Sequence, residues 1–151
     1  MVRNGKTIYF DMDGTIADLY AVDRWLEKLQ AADATPYIEA APLLRLCTLA
    51  RLLNRLQRKG YKIGIVSWLS KNGTNQYNRE VTKAKKKWLQ VHLKSVQFDE
   101  IYIVEYGTPK HEIVRDKNGI LFDDEEKNRM EWLGVAYDVD NIIEILKRLL
   151  R

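Results

Sequence analysis

The sequence predicts an α/β fold, a mainly parallel sheet of five short strands with helices on both faces. Two observations carry this. Short apolar, β-rich runs alternate with longer stretches of helical periodicity along the 151 residues. The runs are apolar almost throughout rather than alternating, the pattern of strands buried on both faces. A third observation points to function: the reactive and charged residues fall at the ends of these runs, where open α/β sheets bind their ligands.

The elements follow in order. Residues 7–10 (TIYF) form a strand leading into Asp11, and Val22, Trp25, Leu26 and Leu29 place a helix over about 22–32. Asp33-Ala34-Thr35-Pro36 breaks it. A longer helix after Pro42 carries Leu43, Leu46, Leu49, Leu53 and Leu56 and stops at Gly60. Residues 63–66 (IGIV) are a second strand ending in Ser67, followed by a polar loop and a lysine-rich helix over about 76–93. Val81, Ala84, Trp88 and Val91 are its packing residues. Residues 101–104 and 119–122 are the third and fourth strands, the latter ending in Asp123-Asp124. A fifth strand at 135–137 precedes a C-terminal helix with Ile142, Ile143, Ile145, Leu146 and Leu149.

Composition excludes several classes. With 46% apolar and 30% charged residues the chain can bury a core, which rules out wholesale disorder. No stretch reaches the roughly 20 apolar residues of a membrane span. No linker or repeat divides the sequence, so one domain is expected over 1–151. The N-terminus lacks the apolar core of a secretory signal, and the single cysteine, Cys47, has no internal disulfide partner. Both point to the cytoplasm. Cys47 lies among leucines and reads as a small core residue. The net charge of +4 is local: seven bases and one acid lie between Lys71 and Lys94, and the remainder is slightly acidic.

Asp11-Met12-Asp13-Gly14-Thr15 sets two carboxylates two residues apart at a strand tip, where they repel unless a cation or a shared proton separates them. Taken alone, the stretch also fits a surface Asp-Gly turn. The second acidic group, Asp123-Asp124, changes that balance. If the first and fourth strands are neighbours, four carboxylates converge, and an all-oxygen set of this kind suits Mg²⁺. Ser67 and Lys110, just after the second and third strands, add a hydroxyl and a cation. Each is unremarkable alone, as a strand-end serine and a solvated lysine.

In this order the four pieces resemble the haloacid dehalogenase-like phosphohydrolase superfamily over the chain from Asp11 to about Tyr137. Phe10-Asp11-Met12-Asp13-Gly14-Thr15-Ile16-Ala17-Asp18 and Leu121-Phe122-Asp123-Asp124 are similar to small phage- or prophage-type hydrolases and to deoxyribonucleotidase-like proteins. The resemblance implies a three-layer Rossmann-like core and a Mg²⁺-dependent phosphomonoesterase. Asp11 would be the nucleophile forming an aspartyl-phosphate, and Asp13 the acid–base. Ser67 and Lys110 would hold the phosphoryl oxygens. Asp11, Asp13 through its carbonyl, Asp123 and Asp124 would hold the metal, with the division between the last two left open. Met12, Ser67, Trp68, Lys110 and Tyr20 form the implied substrate-binding set. An acid at Asp13 favours phosphatase over carbon–halogen chemistry.

Only a minimal cap insertion, about 18–41, fits between the first two motifs, so the site should be open. Tyr20 and Tyr37 are candidates for stacking on a base, while Trp25 reads first as a core anchor. Trp68 and Asn72 are either mouth residues or loop packing. Expected substrates are a nucleotide, a nucleic-acid terminal phosphate or another small phosphorylated metabolite. Lys83, Lys86 and Lys87 form either a solvated face or a polyanion contact. A binding or assembly protein with marginal activity is the competing class, but it has no use for Asp13 and Lys110 together.

Overall fold

The structure is a computed structural model that describes residues 5–151. Its centre is a five-stranded, all-parallel sheet of β1 (Thr7–Phe10), β4 (Lys62–Trp68), β5 (Glu100–Val104), β6 (Ile120–Phe122) and β7 (Ala136–Tyr137), in the order β5-β4-β1-β6-β7. All five strands coincide with the runs read from sequence. β1 is central and pairs with both β4 and β6, so the first and fourth strands of the sequence reading are neighbours.

Side chains alternate across the sheet with the two-residue period of a strand. Ile8, Phe10, Ile63, Ile65, Ile120 and Phe122 pack into the main core, whereas Tyr9, Val66 and Leu121 pack on the opposite face with Val114 and Trp132. The first face is covered by α3 (Leu46–Arg58), with Leu49, Leu52, Leu53 and Leu56 buried, and by α7 (Ile142–Leu149). Phe10 stacks on Phe122 at 5.2 Å, and Phe122 on Tyr137 at 5.6 Å. These contacts make a rigid floor just beneath the strand ends. Three further helices are α4 (Asn75–His92), α5 (Lys110–Ile113) and α6 (Glu126–Glu131). Among the described residues no helix is long and apolar enough to cross a membrane.

The insertion holds more structure than the sequence suggested. β2 (Ala17–Asp18) pairs antiparallel with β3 (Ala41–Pro42), closing the insertion at its base. Between them lie α1 (Trp25–Gln30) and α2 (Thr35–Glu39). The expected break at 33–36 is where α2 begins, with Pro36 in its first turn, the position where a missing N–H costs nothing. Leu19 and Tyr37 bury against Leu69, Tyr77, Val81 and Ala84, a second small core beneath the insertion. Trp25 and Leu29 are only partly buried against it.

Three packing expectations are corrected. Cys47 is exposed, because it stands two residues, or about 200° of helix, from Leu49 on the buried stripe of α3. Val91 is 60% exposed although it keeps helical spacing with Ala84 and Trp88, because it lies in the last turn of α4 at the edge of the buried stripe. Leu43 is 42% exposed and precedes α3 rather than opening its apolar stripe.

Candidate active site

The carboxyl ends of β1, β4 and β6 meet at the floor of a cavity of about 620 Å³. Asp11 leaves β1 with its N–H donated to the Phe122 carbonyl at 3.0 Å, which ties it to β6. The chain then turns tightly, the Met12 carbonyl accepting from the N–H groups of Thr15, Ile16 and Ala17 at 3.0–3.1 Å. Gly14 makes this turn at φ +80°, and a Cβ there would fall on the Asp124 carboxylate. Glycine is therefore required twice, for its backbone angle and for the approach of the second acidic loop. Thr15 donates to Asp11 Oδ2 at 3.2 Å and lies 3.5 Å from Asp124 Oδ1.

Lys110 is 3% exposed and donates to Asp11 Oδ1 at 2.9 Å and Asp123 Oδ2 at 2.7 Å. Burial alone would lower its pKa, but the two carboxylates more than offset that and raise it. Asp123 is fully buried, held also by the Glu125 N–H at 2.9 Å and by Asn128 Nδ2 at 3.2 Å. Asp124 is more open to solvent.

Asp11, Asp123 and Asp124 each bring a carboxylate oxygen within 4.8 Å of the others. Burial, reinforced by the Asp11 charge, pushes Asp123 up to about 6 and Asp124 up to about 8. This crowding is what a divalent cation relieves. Four carboxylates, counting Asp13, face two buried lysine ammoniums, which leaves a formal deficit of one divalent charge. An all-oxygen donor set with room for waters fits Mg²⁺.

The second of those lysines is Lys85, which sequence reading placed only in the basic helix. It is 1% exposed, and its Nζ donates to Asp13 Oδ2 at 2.9 Å, to Ser67 Oγ at 2.7 Å and to the Trp68 carbonyl. Its ammonium also lies 5.1 Å from the centre of the Tyr37 ring. Burial pushes the Asp13 carboxyl up, with the Lys85 ammonium opposing and Asp11 reinforcing that shift. A legible signal was present: Tyr77, Val81, Lys85 and Leu89 recur every four residues, so one lysine interrupts an apolar stripe. Asn128 was also missed. Its Oδ1 is buried without a hydrogen-bond partner, and the residue lines the cavity.

Most of the expected site residues converge. Asp11, Asp13, Tyr20, Trp68, Lys110, Asp123 and Asp124 line the cavity. Ser67 is fully buried behind Asp13 and meets it through Lys85. The Met12 side chain is in the core, so only its backbone is available to a ligand. Tyr20 is 51% exposed and packs edge-on against Trp25 at 5.0 Å. Trp68 donates to the Thr108 carbonyl at 2.8 Å, packs against Tyr106 at 4.9 Å and has Lys110 Nζ 5.3 Å from its ring centre. Tyr37 lines the cavity but is buried, its hydroxyl paired with Ser70. Asn72 and Thr74, the latter the N-cap of α4, line the cavity, so the N-terminus of α4 lies at the site. Lys83, Lys86 and Lys87 are exposed on α4 and do not line the cavity.

No family model matches the chain, and no curated protein is significantly similar in sequence. The fold does match a solved structure, the D,D-heptose 1,7-bisphosphate phosphatase from Burkholderia thailandensis. The TM-score is 0.60 at 13% identity, covering 96% of this chain and 98% of that one. The architecture is thus a Rossmann-like α/β fold, a parallel five-stranded sheet with helices on both faces, as in that structure. Sequence identity at this level speaks for the fold alone.

Proposed function

We propose that the protein is a Mg²⁺-dependent phosphomonoesterase acting through an aspartyl-phosphate, within one hydrolase domain whose minimal cap is the 18–41 insertion. The observation that carries this reading is the meeting of Asp11, Asp13, Lys110, Asp123 and Asp124 at one cavity floor on the ends of β1 and β6 and the start of α5. An Asp11 oxygen attacks phosphorus, the bond to the leaving oxygen breaks, and the Asp13 carboxyl gives that oxygen its proton. Asp13 then takes a proton from water as water attacks the same phosphorus and releases Asp11 and inorganic phosphate. Lys110 fixes Asp11 and offsets charge on the phosphoryl group. Ser67, expected to hold a phosphoryl oxygen, is instead fully buried behind Asp13 and off the cavity wall, where it accepts from Lys85 and braces that lysine. Asp11, Asp123, Asp124 and the Asp13 carbonyl would hold Mg²⁺, which supplies charge neutralisation on the phosphoryl oxygens.

The substrate we infer is a nucleotide or a nucleic-acid terminal phosphate, as in the deoxyribonucleotidase-like and phage-type hydrolases that the motifs resemble. Tyr20, Trp25, Trp68 and Tyr106 support it: they give the cavity wall flat apolar faces suited to a base. The solved structure of similar fold is named for a sugar bisphosphate, so a small sugar phosphate is the alternative substrate. The exposed lysines of residues 83–87 are the proposed polyanion contact, and the lone cysteine suits a cytoplasmic setting.

The reading is tested with purified protein and an aryl phosphate. Turnover should require Mg²⁺, stop with EDTA, and fall at least about 10³-fold in Asp11→Asn. Turnover indifferent to EDTA or to that substitution overturns it. A panel of 5′- and 3′-nucleotides, phosphate-terminated oligonucleotides and sugar phosphates then separates the substrate classes.

A further inference from the structure

We infer that Lys85 is a positioning residue for the acid–base step, acting through Asp13. The inference rests on the phosphatase reading and assigns to it a residue outside the acidic motifs. Three observations carry it.

First, Lys85 is buried where a lysine is costly. At 1% exposure, on the apolar face of α4 beside Val81, Trp88 and Leu89, its ammonium is held only because it is fully partnered. Lysine is almost never fully buried unless paired. An apolar residue would fill the position without that requirement.

Second, its hydrogen-bonding capacity is exhausted by protein groups. An ammonium has three donors. Asp13 Oδ2, Ser67 Oγ and the Trp68 carbonyl take all of them. Lys85 does not line the cavity, whereas Asp13 does. Lys85 therefore does not grip the substrate. It holds one oxygen of Asp13 from behind and fixes that carboxyl against the end of β4.

Third, the site already has a separate cation for the nucleophile. Lys110 binds Asp11 and Asp123, and Lys85 binds Asp13. Each acidic residue of the Asp11-Met12-Asp13 pair thus has its own buried lysine, brought from a different helix. A misplacement of about 1 Å in a reacting group can cost on the order of 10²-fold, so such anchoring bears directly on rate.

The consequence depends on the leaving group. An alkyl phosphate needs a proton on its departing oxygen, while an activated aryl phosphate such as p-nitrophenyl phosphate leaves readily without one. Loss of Lys85 should therefore lower kcat/KM, which reports the bond-breaking step, far more for the alkyl ester. Lys85→Met should lower it on the order of 10²-fold for an alkyl phosphate and about tenfold less for p-nitrophenyl phosphate, within the range of general acid catalysis. Lys85→Arg, which keeps the charge, should recover part of the alkyl activity.

A double-mutant cycle tests the route through Asp13. In an Asp13→Asn background, Lys85→Met should cost little more on either ester. Removing both partners of a buried pair also spares the fold the unpaired charge, so the comparison of Asp13→Asn with the double variant stands even if Lys85→Met alone does not fold. Equal losses on both esters, or a further large loss in the Asp13→Asn background, would overturn the assignment while leaving the phosphatase reading intact. Wild-type protein that hydrolyses neither ester would overturn both.

Discussion

The floor and the roof of the cavity are built on opposite principles. The floor, at the ends of β1, β4 and β6, is buried charge: Asp11, Asp13 and Asp123 are tied to Lys85 and Lys110, with Thr15 and Asn128 supplying further hydrogen bonds. The roof, drawn from the 18–41 insertion and the loops after β4 and β5, mixes aromatic and aliphatic side chains, with Tyr20, Trp25 and Tyr106 beside Leu26 and Leu29. Tyr20 and Tyr106 are each 51% exposed. Moving one partner in the floor leaves a buried charge unpaired, whereas trimming a ring in the roof removes a surface that solvent already touches. On the proposed reading, the difference separates chemistry, which tolerates little change, from recognition, which tolerates more.

The contrast is broken most forcefully at Lys110. Lys110→Met strands two buried carboxylates and should cost about 3–5 kcal/mol of stability in metal-free protein, read from a urea melt. A loss below about 1 kcal/mol would mean that the floor is not electrostatically bound. Next comes Gly14→Ala. With φ at +80° and the Asp124 carboxylate in the way, the added methyl must displace the second acidic loop. Mg²⁺ affinity, measured by calorimetric titration, should fall roughly 10–100-fold. Unchanged affinity would remove Asp124 from the metal site.

The roof should respond more gently and more selectively. Tyr20→Ala should raise KM for a nucleotide about tenfold, from stacking worth roughly 1–3 kcal/mol per base, and leave a small alkyl phosphate and the melting temperature nearly unchanged. Equal effects on both substrates would make Tyr20 a packing residue. The smallest effect is expected from charge reversal at Lys83, Lys86 and Lys87, which lie outside the cavity. KM for phosphate-terminated oligonucleotides should rise at low salt, while KM for mononucleotides stays within about twofold. If both stay constant, these lysines are a solvated face.

The strands and most of the floor were legible because both depend on local pattern. A run such as Ile120-Leu121-Phe122 ending in Asp123-Asp124 states its burial and its polar tip within five residues. The insertion was less legible. Its two-stranded closure joins Ala17–Asp18 to Ala41–Pro42, a contact between segments too short to show a period, and α2 begins inside a stretch whose Pro36 reads as a breaker. Cys47 was misplaced because neighbourhood in sequence was taken for neighbourhood on a helix face, and Val91 because helical spacing from Trp88 does not show that the last turn of α4 lies at the edge of the buried stripe.

By itself the sequence determined the order of elements, the two acidic tips and the presence of a lysine after the third strand, since each is a matter of residue type and spacing. Only the tertiary structure decided which of the many lysines enter the site. Lys85 and Lys86 are adjacent in the chain, yet one is 1% exposed among Asp13, Ser67 and Trp68 and the other faces solvent. The 100° turn between successive helical residues, combined with the packing of α4 beside the end of β4, makes one a partner of the candidate acid–base and the other surface charge.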